Sequence, residues 1–522
     1  MTQQKSEDPV VPEDPRKPVP IPPIESPAGG GKGIPVEEAL PRQLLLFATA
    51  ENPRPKRGAR TKPPMDLSTE SVAQAPKATS NDRQAAAATM KRVVERLDEA
   101  LDKVEANDGA PGPDRTTISQ LREAWSEIQP QLARTLLAGR FQPGDIRRVW
   151  IAKSGGGQRG LGIPNVIDRV VQEAVRATLE PLYEPTFHAS SHGFRPNRSC
   201  HTAIAEAQEH IAAGHRWVVD IDLEKFFDRV NHQRLEARLA TQIGDRDLRV
   251  LIGRMLRAGV IMPDGVRTRN EEGVPQGGPL SPLLSNIVLH ELDEELTRRG
   301  LRFVRYADDC NIYVASHRAG ERVMESITRF IERRLRLKVN QAKSAVAEPE
   351  TRHFLGFRLR PLTGTKPAVL LSERSEQRPK ARLRELTPRN AGRSIQSVVG
   401  TVNQYLRGWD GFFRICTRDV ERVLSNADAH LRRRLRALHL AHWKTKRTIA
   451  RNLIRMGAPR KSTWTQIYRG RRQLWALSIC DATHRGMPNT YFKELGLVSL
   501  LDLARARWGP AVAPGEGAAP SR

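Results

Sequence analysis

Residues 303–315, FVRYADDCNIYVA, place two adjacent carboxylates between two apolar runs, and this pattern constrains the fold more than any other. The flanking runs are rich in aromatic and β-branched residues, which predicts two short strands that meet at Asp308 and Asp309. Neighbouring carboxylates repel each other, whereas divalent ions would neutralise both. The hairpin therefore indicates a metal site, and an Asp-rich surface turn is the alternative until a third carboxylate is found.

A candidate third carboxylate lies in residues 217–231, WVVDIDLEKFFDRVN, where an apolar run predicts a buried strand. Asp220 and Asp222 are two residues apart and would share one face of that strand, and Asp228 follows an aromatic pair. Nucleotidyl transfer by two metals needs carboxylates from separate strands, which hold the ions about 3.5 to 4 Å apart. One aspartate here would complete the set, although a cap or a salt bridge also explains a lone aspartate.

Residues 271–293, EEGVPQGGPLSPLLSNIVLHELD, join a loop rich in Gly and Pro to an apolar run that predicts a helix. Glycines let bare backbone approach a ligand, and a glycine loop that enters a helix suits contact with phosphate or a base. Ordinary turns also collect Gly and Pro. The loop therefore supports a nucleotide site only together with the carboxylates.

Several sequence blocks occur in a fixed order, and together they are far more specific than any short motif. They are RPNRS (195–199), DIDLEKFFDRVNH (220–232), GVPQGGPLSPLLSNI (273–287), YADD (306–309), KVNQAKS (338–344) and FLGF (354–357). With this set the chain resembles the reverse transcriptases encoded by bacterial group II introns, from about residue 86 to about residue 507. Residues 110–114 and 147–172 resemble that family's extra N-terminal blocks, and 403–413 resembles its maturase region, domain X.

The resemblance implies a role for each acid. Asp222 would be the first metal ligand, Asp308 the ligand from the second strand and Asp309 its partner, and the three would hold two Mg²⁺ ions. Asp220 and Asp228 would then have structural rather than metal-binding roles.

The resemblance also implies a gate that selects deoxynucleotides. Phe226 would be the bulky residue under the sugar that excludes a 2′-hydroxyl. Its neighbour Phe227 is the alternative gate, and a place in the core is the alternative role for either ring.

Four polar residues would complete the nucleotide pocket by the same resemblance. Lys153 and Arg159 lie in a Gly-rich turn and would hold the triphosphate, although a solvated basic loop is the alternative. Gln276 would line the pocket, and Lys343 would lie near the incoming triphosphate.

The fold implied by the resemblance is α+β: a right-hand polymerase, with fingers and a palm built on a small antiparallel sheet, then an all-helical thumb and maturase domain. The first 80 residues hold 15 of the 37 prolines, which predicts a disordered extension that departs from the family pattern. We expect these boundaries: extension 1–85, fingers 86–215, palm 216–370, thumb and domain X 371–459, DNA-binding-like region 460–507 and disordered tail 508–522.

A net charge of +26, from 85 Lys and Arg against 59 Asp and Glu, attracts polyanions. Anionic membrane surface could use the same charge, but no apolar run reaches the roughly 18 residues of a membrane helix and the start is too polar for a secretory signal. We therefore expect a cytoplasmic protein without a membrane partner.

Residues 431–447 form an arginine-dense segment without Asp or Glu, in which like charges at helical spacing repel unless a polyanion lies against them. This indicates RNA binding, with a solvated helix face as the alternative. The candidate RNA-binding residues are Arg432, Arg433, Arg434, Arg436, Lys444, Lys446 and Arg447.

The four cysteines are scattered without CxxC pairs, which predicts neither a disulfide framework nor a zinc site. Many intron enzymes carry a C-terminal HNH endonuclease with paired cysteines, so this chain resembles the compact, endonuclease-free type.

The resemblance thus implies an RNA-directed DNA polymerase and maturase that binds group II intron RNA, assists its splicing and reverse-transcribes it during retrohoming. Its partners would be intron RNA, an RNA template, a DNA primer or target and deoxynucleoside triphosphates, and a homodimer stays open. Two alternatives are a splicing-only RNA-binding maturase and a domesticated reverse transcriptase in host defence or DNA repair.

Overall fold

The computed structural model describes residues 88–152, 158–388, 392–469 and 473–509. The extension 1–85, the candidate Lys153 and the chain after residue 509 lie outside the described residues. Within them, many helices surround three small sheets, so the mixed helix and sheet character expected from the sequence is confirmed.

Capped helices open the described chain. The hydroxyls of Thr89 and Thr117 accept backbone amides in the first turns of α1 and α3, which fixes where these helices begin. The helices up to the last strand are α1 (Met90–Glu95), α2 (Leu97–Ala106), α3 (Ile118–Glu123), α4 (Trp125–Leu137), α5 (Val166–Tyr183), α6 (Cys200–Ala212), α7 (His232–Ala240), α8 (Arg246–Leu256), α9 (Ser281–Arg298) and α10 (His317–Phe330).

The strands in the described ranges form three sheets. They are β1 (Ile146–Ala152), β2 (Gln158–Ile163), β3 (Trp217–Ile221), β4 (Val260–Ile261), β5 (Arg267–Thr268), β6 (Arg302–Tyr306), β7 (Asp309–Val314), β8 (Ala345–Ala347), β9 (Phe357–Arg360) and β10 (Ala368–Leu371). One sheet has the order β2-β1-β4-β5, the second has the order β6-β7-β3-β8, and β9 and β10 form the third.

The sheet β6-β7-β3-β8, which we call the central sheet, is buried on both faces. Side chains alternate between faces along a strand. Val219 and Ile312 enter a core shared with α5 and α9, whereas Val218 and Tyr313 enter a core shared with the C-terminal helices. Apolar packing on both faces therefore holds the central sheet in place.

Helices make up the C-terminal part. They are α11 (Glu373–Leu386), α12 (Ile395–Phe413), α13 (Glu421–His442), α14 (Lys446–Arg455), α15 (Arg460–Tyr468), α16 (Leu474–Leu477), α17 (Asp481–Gly486), α18 (Asn489–Glu494) and α19 (Leu500–Trp508). The indole of Trp508 donates to the Cys416 carbonyl at 3.1 Å, so the folded part includes the first residue of the tail expected at 508–522. Among the described residues, no helix has the length and apolar character needed to cross a membrane.

Candidate active site

The hairpin predicted from FVRYADDCNIYVA is confirmed. β6 and β7 pair antiparallel up to Tyr306 and Asp309, which leaves Ala307 and Asp308 as the turn. Ala307 has a left-handed φ of 57°, which an L residue adopts at a cost. Gly193 packs under this turn so closely that an added Cβ would lie 2.2 Å from the Ala307 nitrogen. Only glycine at position 193 permits this contact.

The sheet register brings Asp222 beside the hairpin acids. Ile221 ends β3 opposite Cys310, so Asp222 follows the strand at the level of Asp309. Burial raises the pKa of Asp308, while the Arg159 charge opposes that rise. Burial and the carboxylates of Asp308, Asp220 and Asp222 raise the pKa of Asp309 to about 7. The acids are therefore electrostatic neighbours.

Asp220 is held by a protein cation. The Arg352 guanidinium donates to its Oδ2 from Nε at 2.9 Å, and the same guanidinium donates to the Lys343 carbonyl at 2.7 Å. The Asp222 amide donates to the Ser344 hydroxyl at 3.0 Å, which fastens the same segment to the end of β3. Lys343 Nζ consequently lies 3.5 Å from Asp222 Oδ2.

The donor set fits divalent cations, although the side chains do not form a ready coordination sphere. No group of three or more His, Cys, Asp or Glu side chains in the described ranges converges closely enough to hold a metal. The Asp308 and Asp222 charges nevertheless raise the pKa of Asp309, and the Asp222 charge also raises the pKa of Asp308, so the three carboxylates lie near one another. Carboxylate side chains turn readily and hard cations take oxygen ligands in flexible geometry, so these three acids fit divalent ions.

A cavity of about 610 Å³ gathers predicted nucleotide-binding residues. Arg159, Phe227 and Gln276 line it. Gly277, at φ +127°, brings the loop against β2, where an added Cβ would lie 2.5 Å from the Gly162 carbonyl oxygen.

The cavity favours Phe227 over Phe226 as the gate. Both rings are buried in the same core, at 2% exposure for Phe226 and 8% for Phe227, but Phe227 is the one that lines the cavity. The gate proposed below is therefore Phe227, the alternative of the sequence analysis. Lys225 has a left-handed φ of 49° immediately before the 3₁₀ turn Phe226–Asp228, and this turn decides which ring faces the cavity.

Sequence reasoning missed a buried arginine beneath the hairpin. The Arg305 side chain, fully buried, donates to both carboxylate oxygens of Asp293, to Asn286 Oδ1, to Ser191 Oγ and to the Ala307 carbonyl, over distances from 2.6 to 3.1 Å. Asn286 and Asp293 are seven residues apart in the same helix and both are buried, so they share one inward face. This spacing is the one sequence signal that could have indicated a buried polar partner, here Arg305, for these two side chains.

The arginine-dense segment of α13 is used largely within the protein. Arg436 is buried and donates to the Met487 carbonyl at 2.9 and 3.0 Å, so its prediction as an RNA-binding residue is wrong. Arg434 binds the carbonyl of Thr387 at the end of α11, and the Arg433 guanidinium stacks 3.9 Å from the Trp475 ring. Backbone carbonyls and an aromatic ring thus contact these cations.

The remaining predicted RNA-binding residues lie nearer the surface. Lys444 and Arg447 are exposed, and Arg432 and Lys446 are partly buried. Lys446 lies 5.7 Å from the Tyr468 ring centroid. This part of the prediction stays open.

Carboxylates gathered at the ends of adjacent strands are the ligand arrangement expected of a nucleotidyl-transfer enzyme of the polymerase class. Residues 151–359 match the family described as reverse transcriptase (RNA-dependent DNA polymerase), and residues 377–457 match the group II intron, maturase-specific domain. The chain belongs to the reverse transcriptases that carry a group II intron maturase domain. It is thus an RNA-directed DNA polymerase with a domain for binding intron RNA.

Two sequence relatives support this assignment over different shares of their length. The chain is 35% identical to protein YkfC of Escherichia coli K12 over 289 residues, which cover 48% of this chain and 75% of YkfC. It is 41% identical to the group II intron-encoded protein LtrA of Lactococcus lactis subsp. cremoris over 176 residues, 34% of this chain and 29% of LtrA. A chain of the solved partial Cas6-RT-Cas1–Cas2 complex aligns at 24% identity over 47% of this chain and 42% of its own, with a TM-score of 0.31.

Proposed function

We propose that the protein extends a DNA primer on group II intron RNA by nucleotidyl transfer with two Mg²⁺ ions, and that it assists splicing of that RNA. The observation that carries the catalytic proposal is the register of the central sheet, which sets Asp222 beside Asp308 and Asp309. In the right-hand arrangement, the sheet β2-β1-β4-β5 with its helices corresponds to the fingers, the central sheet to the palm, and α11 to α14 to the thumb and maturase domain.

Asp222 and Asp308 would hold the ions, with Asp309 as the neighbouring ligand. Bound ions would stabilise the attacking and leaving oxygens of the transfer. Arg159 lines the cavity next to Asp308 and would bind the triphosphate, because a planar guanidinium matches phosphate oxygens. Lys343, held at Asp222 by the Arg352 contact, would exchange that carboxylate for a phosphate oxygen when nucleotide enters.

Phe227 and Gln276 would position the nucleotide within the cavity. Phe227 offers a rigid ring on the wall, which would exclude a 2′-hydroxyl from the space beneath the sugar. Gln276 is held by its backbone, since its carbonyl accepts the Gly162 amide at 2.6 Å. Its side chain is then free to contact the nucleotide or the template base pair.

The catalytic proposal is tested by primer extension. Purified protein with Mg²⁺ should extend a DNA primer on an RNA template, and Asp308→Ala should reduce extension by at least about a thousandfold. Asp264→Ala, in the exposed turn between β4 and β5, is the matched control and should keep full activity. Equal extension by wild type and Asp308→Ala would reject the assignment.

The maturase proposal is tested separately. Adding the protein to a group II intron transcript at low Mg²⁺ should increase the rate of splicing, and Asp308→Ala should do so equally well because RNA binding does not need the carboxylates. A protein that accelerates splicing but extends no primer would instead be a splicing-only maturase.

A further inference from the structure

A basic cleft lies in the C-terminal helices, outside the carboxylate site. It has a volume of about 200 Å³ and is lined by Arg384 of α11, by His430, Arg434 and Ala437 of α13, and by Trp475 of α16. We call this cavity the basic cleft.

Positive charge converges on the basic cleft from two helices. Burial lowers the pKa of His430, and the charges of Arg434, Arg384, Lys380 and Arg433 lower it further. In the described part of the chain, no Asp or Glu lines the cleft. Four cations therefore surround one neutral imidazole, which disfavours a further cation and favours an anion.

Two buried polar atoms, one in the cleft and one on the neighbouring Arg433, lack a protein partner among the described residues. Among the described residues, His430 Nε2 and Arg433 Nε are buried without a hydrogen bond, which costs free energy unless a ligand or water meets them. Lys380 and Arg384 are exposed on α11. The charged ends of these two side chains make no hydrogen bond or ion pair within the described ranges.

The walls of the cleft are fixed before any ligand arrives. The Arg433 guanidinium stacks 3.9 Å from the Trp475 ring and donates to the Trp475 carbonyl at 3.4 Å. Arg434 is bound to the Thr387 carbonyl at 2.9 Å. The Arg433 and Arg434 side chains would therefore lose little entropy when an anion is bound.

We propose that the basic cleft binds a phosphate group of the intron RNA. The inference rests on the maturase function proposed above and assigns part of that RNA's binding site. Intron RNA is the favoured source because Arg384, His430 and Arg434 all lie within residues 377–457, the segment that matches the maturase-specific domain. The contact also explains how α13 contributes to RNA binding when Arg436 is buried in the protein.

The test reverses the two exposed charges in Lys380→Glu/Arg384→Glu. Arg318→Glu/Arg322→Glu is the matched control, because these arginines are also exposed and four residues apart on one helix, α10. The full-length proteins are titrated into a labelled group II intron transcript and, separately, into a labelled RNA–DNA primer–template duplex, at several salt concentrations. Thermal melting confirms that each variant is folded.

We expect the cleft variant to bind the transcript at least about tenfold more weakly than the control. The magnitude of the slope of log K against log salt should fall by roughly one to two units. Its affinity for the duplex should stay within about threefold of the control, and Arg384→Lys should retain most of the affinity for the transcript. Equal transcript binding by cleft and control variants would overturn the proposal, and so would a loss confined to the duplex. If even the wild type does not bind the transcript, the maturase function itself fails.

Discussion

Arg305 and Asp293 form a bidentate ion pair with both side chains fully buried, directly beneath the turn that carries the hairpin carboxylates. Burial opposes the charge of Arg305, but the Asp293 carboxylate outweighs burial and raises the pKa of the guanidinium. The same guanidinium donates to the Ala307 carbonyl at 2.9 Å and to Ser191 Oγ at 2.7 Å. One side chain thus connects α9, the segment before α6 and the hairpin turn.

Arg305→Met should destabilise the protein by about 3 to 5 kcal/mol, because it leaves the Asp293 carboxylate buried without a counter-charge. Chemical denaturation measures the loss. Arg302→Met, on the exposed end of the same strand, should change the free energy of unfolding by less than about 0.5 kcal/mol. Adding Asp293→Leu to Arg305→Met should recover part of the stability, and additive losses in the double variant would show that the two residues are not coupled.

The two phenylalanines before Asp228 should differ in their effect on sugar selectivity. Phe227→Ala should admit ribonucleotides, lowering the preference for deoxynucleotides in kcat/KM, because the ring on the cavity wall is removed. Phe226→Ala should keep the sugar preference and lose about 3 to 5 kcal/mol of stability, because a core ring is replaced by a cavity. Competing extension with matched deoxy- and ribonucleotides measures the first effect. If only Phe226→Ala lowers the preference for deoxynucleotides, Phe226 is the gate residue.

The hairpin could be predicted because its signal is local, whereas the choice of Asp222 over Asp220 as its partner acid came from the family resemblance. Strand alternation and acids at strand ends are present in the sequence itself, and antiparallel pairing of β3 with β7 then brings Asp222 to Asp309. The choice between Phe226 and Phe227 is different. It depends on a 3₁₀ turn after a left-handed Lys225, and neighbouring aromatic residues carry no signal for that turn.

Long-range polar contacts were beyond prediction for a physical reason. Arg305 finds partners in Ser191 and Asp293, which are 114 and 12 residues away. Arg436 finds the Met487 carbonyl 51 residues away. Every residue has a carbonyl, so an arginine that binds backbone needs no acidic partner in the sequence. Until the fold is known, such an arginine cannot be told apart from one that is free to bind RNA.

Removing one acid should make the protein more stable and inactive at once. Asp309 is buried beside Asp308, Asp220 and Asp222, so like charges repel in the absence of metal. In EDTA, Asp309→Asn should raise the free energy of unfolding by about 1 kcal/mol or more, and the melting temperature should rise with it. Primer extension should fall sharply. Adding Mg²⁺ should stabilise the wild type more than the variant. An equal response of both proteins to Mg²⁺ would argue against Asp309 as a ligand.

His439 should make the stability depend on pH. Burial, and to a smaller extent His442, lower the pKa of His439 to about 4, and its Nε2 accepts the Tyr491 hydroxyl at 2.9 Å. The unfolded chain takes up this proton near its ordinary pKa of about 6.5. Unfolding therefore binds a proton between these two pH values, and the free energy of unfolding falls as the pH falls from about 6.5 towards about 4.

Through His439, acidification lowers the free energy of unfolding by about 3 kcal/mol in total. The loss is nearly complete at pH 4 and absent above pH 7. Other buried histidines add to the same trend, so the informative quantity is the difference between wild type and His439→Gln, whose amide can still accept the Tyr491 hydroxyl. Denaturant unfolding between pH 4.5 and 7.5 should show a shallower pH dependence for this variant. His317→Gln, an exposed residue, should follow the wild type. Parallel curves for wild type and His439→Gln would mean that His439 is protonated in the folded protein as readily as in the unfolded chain.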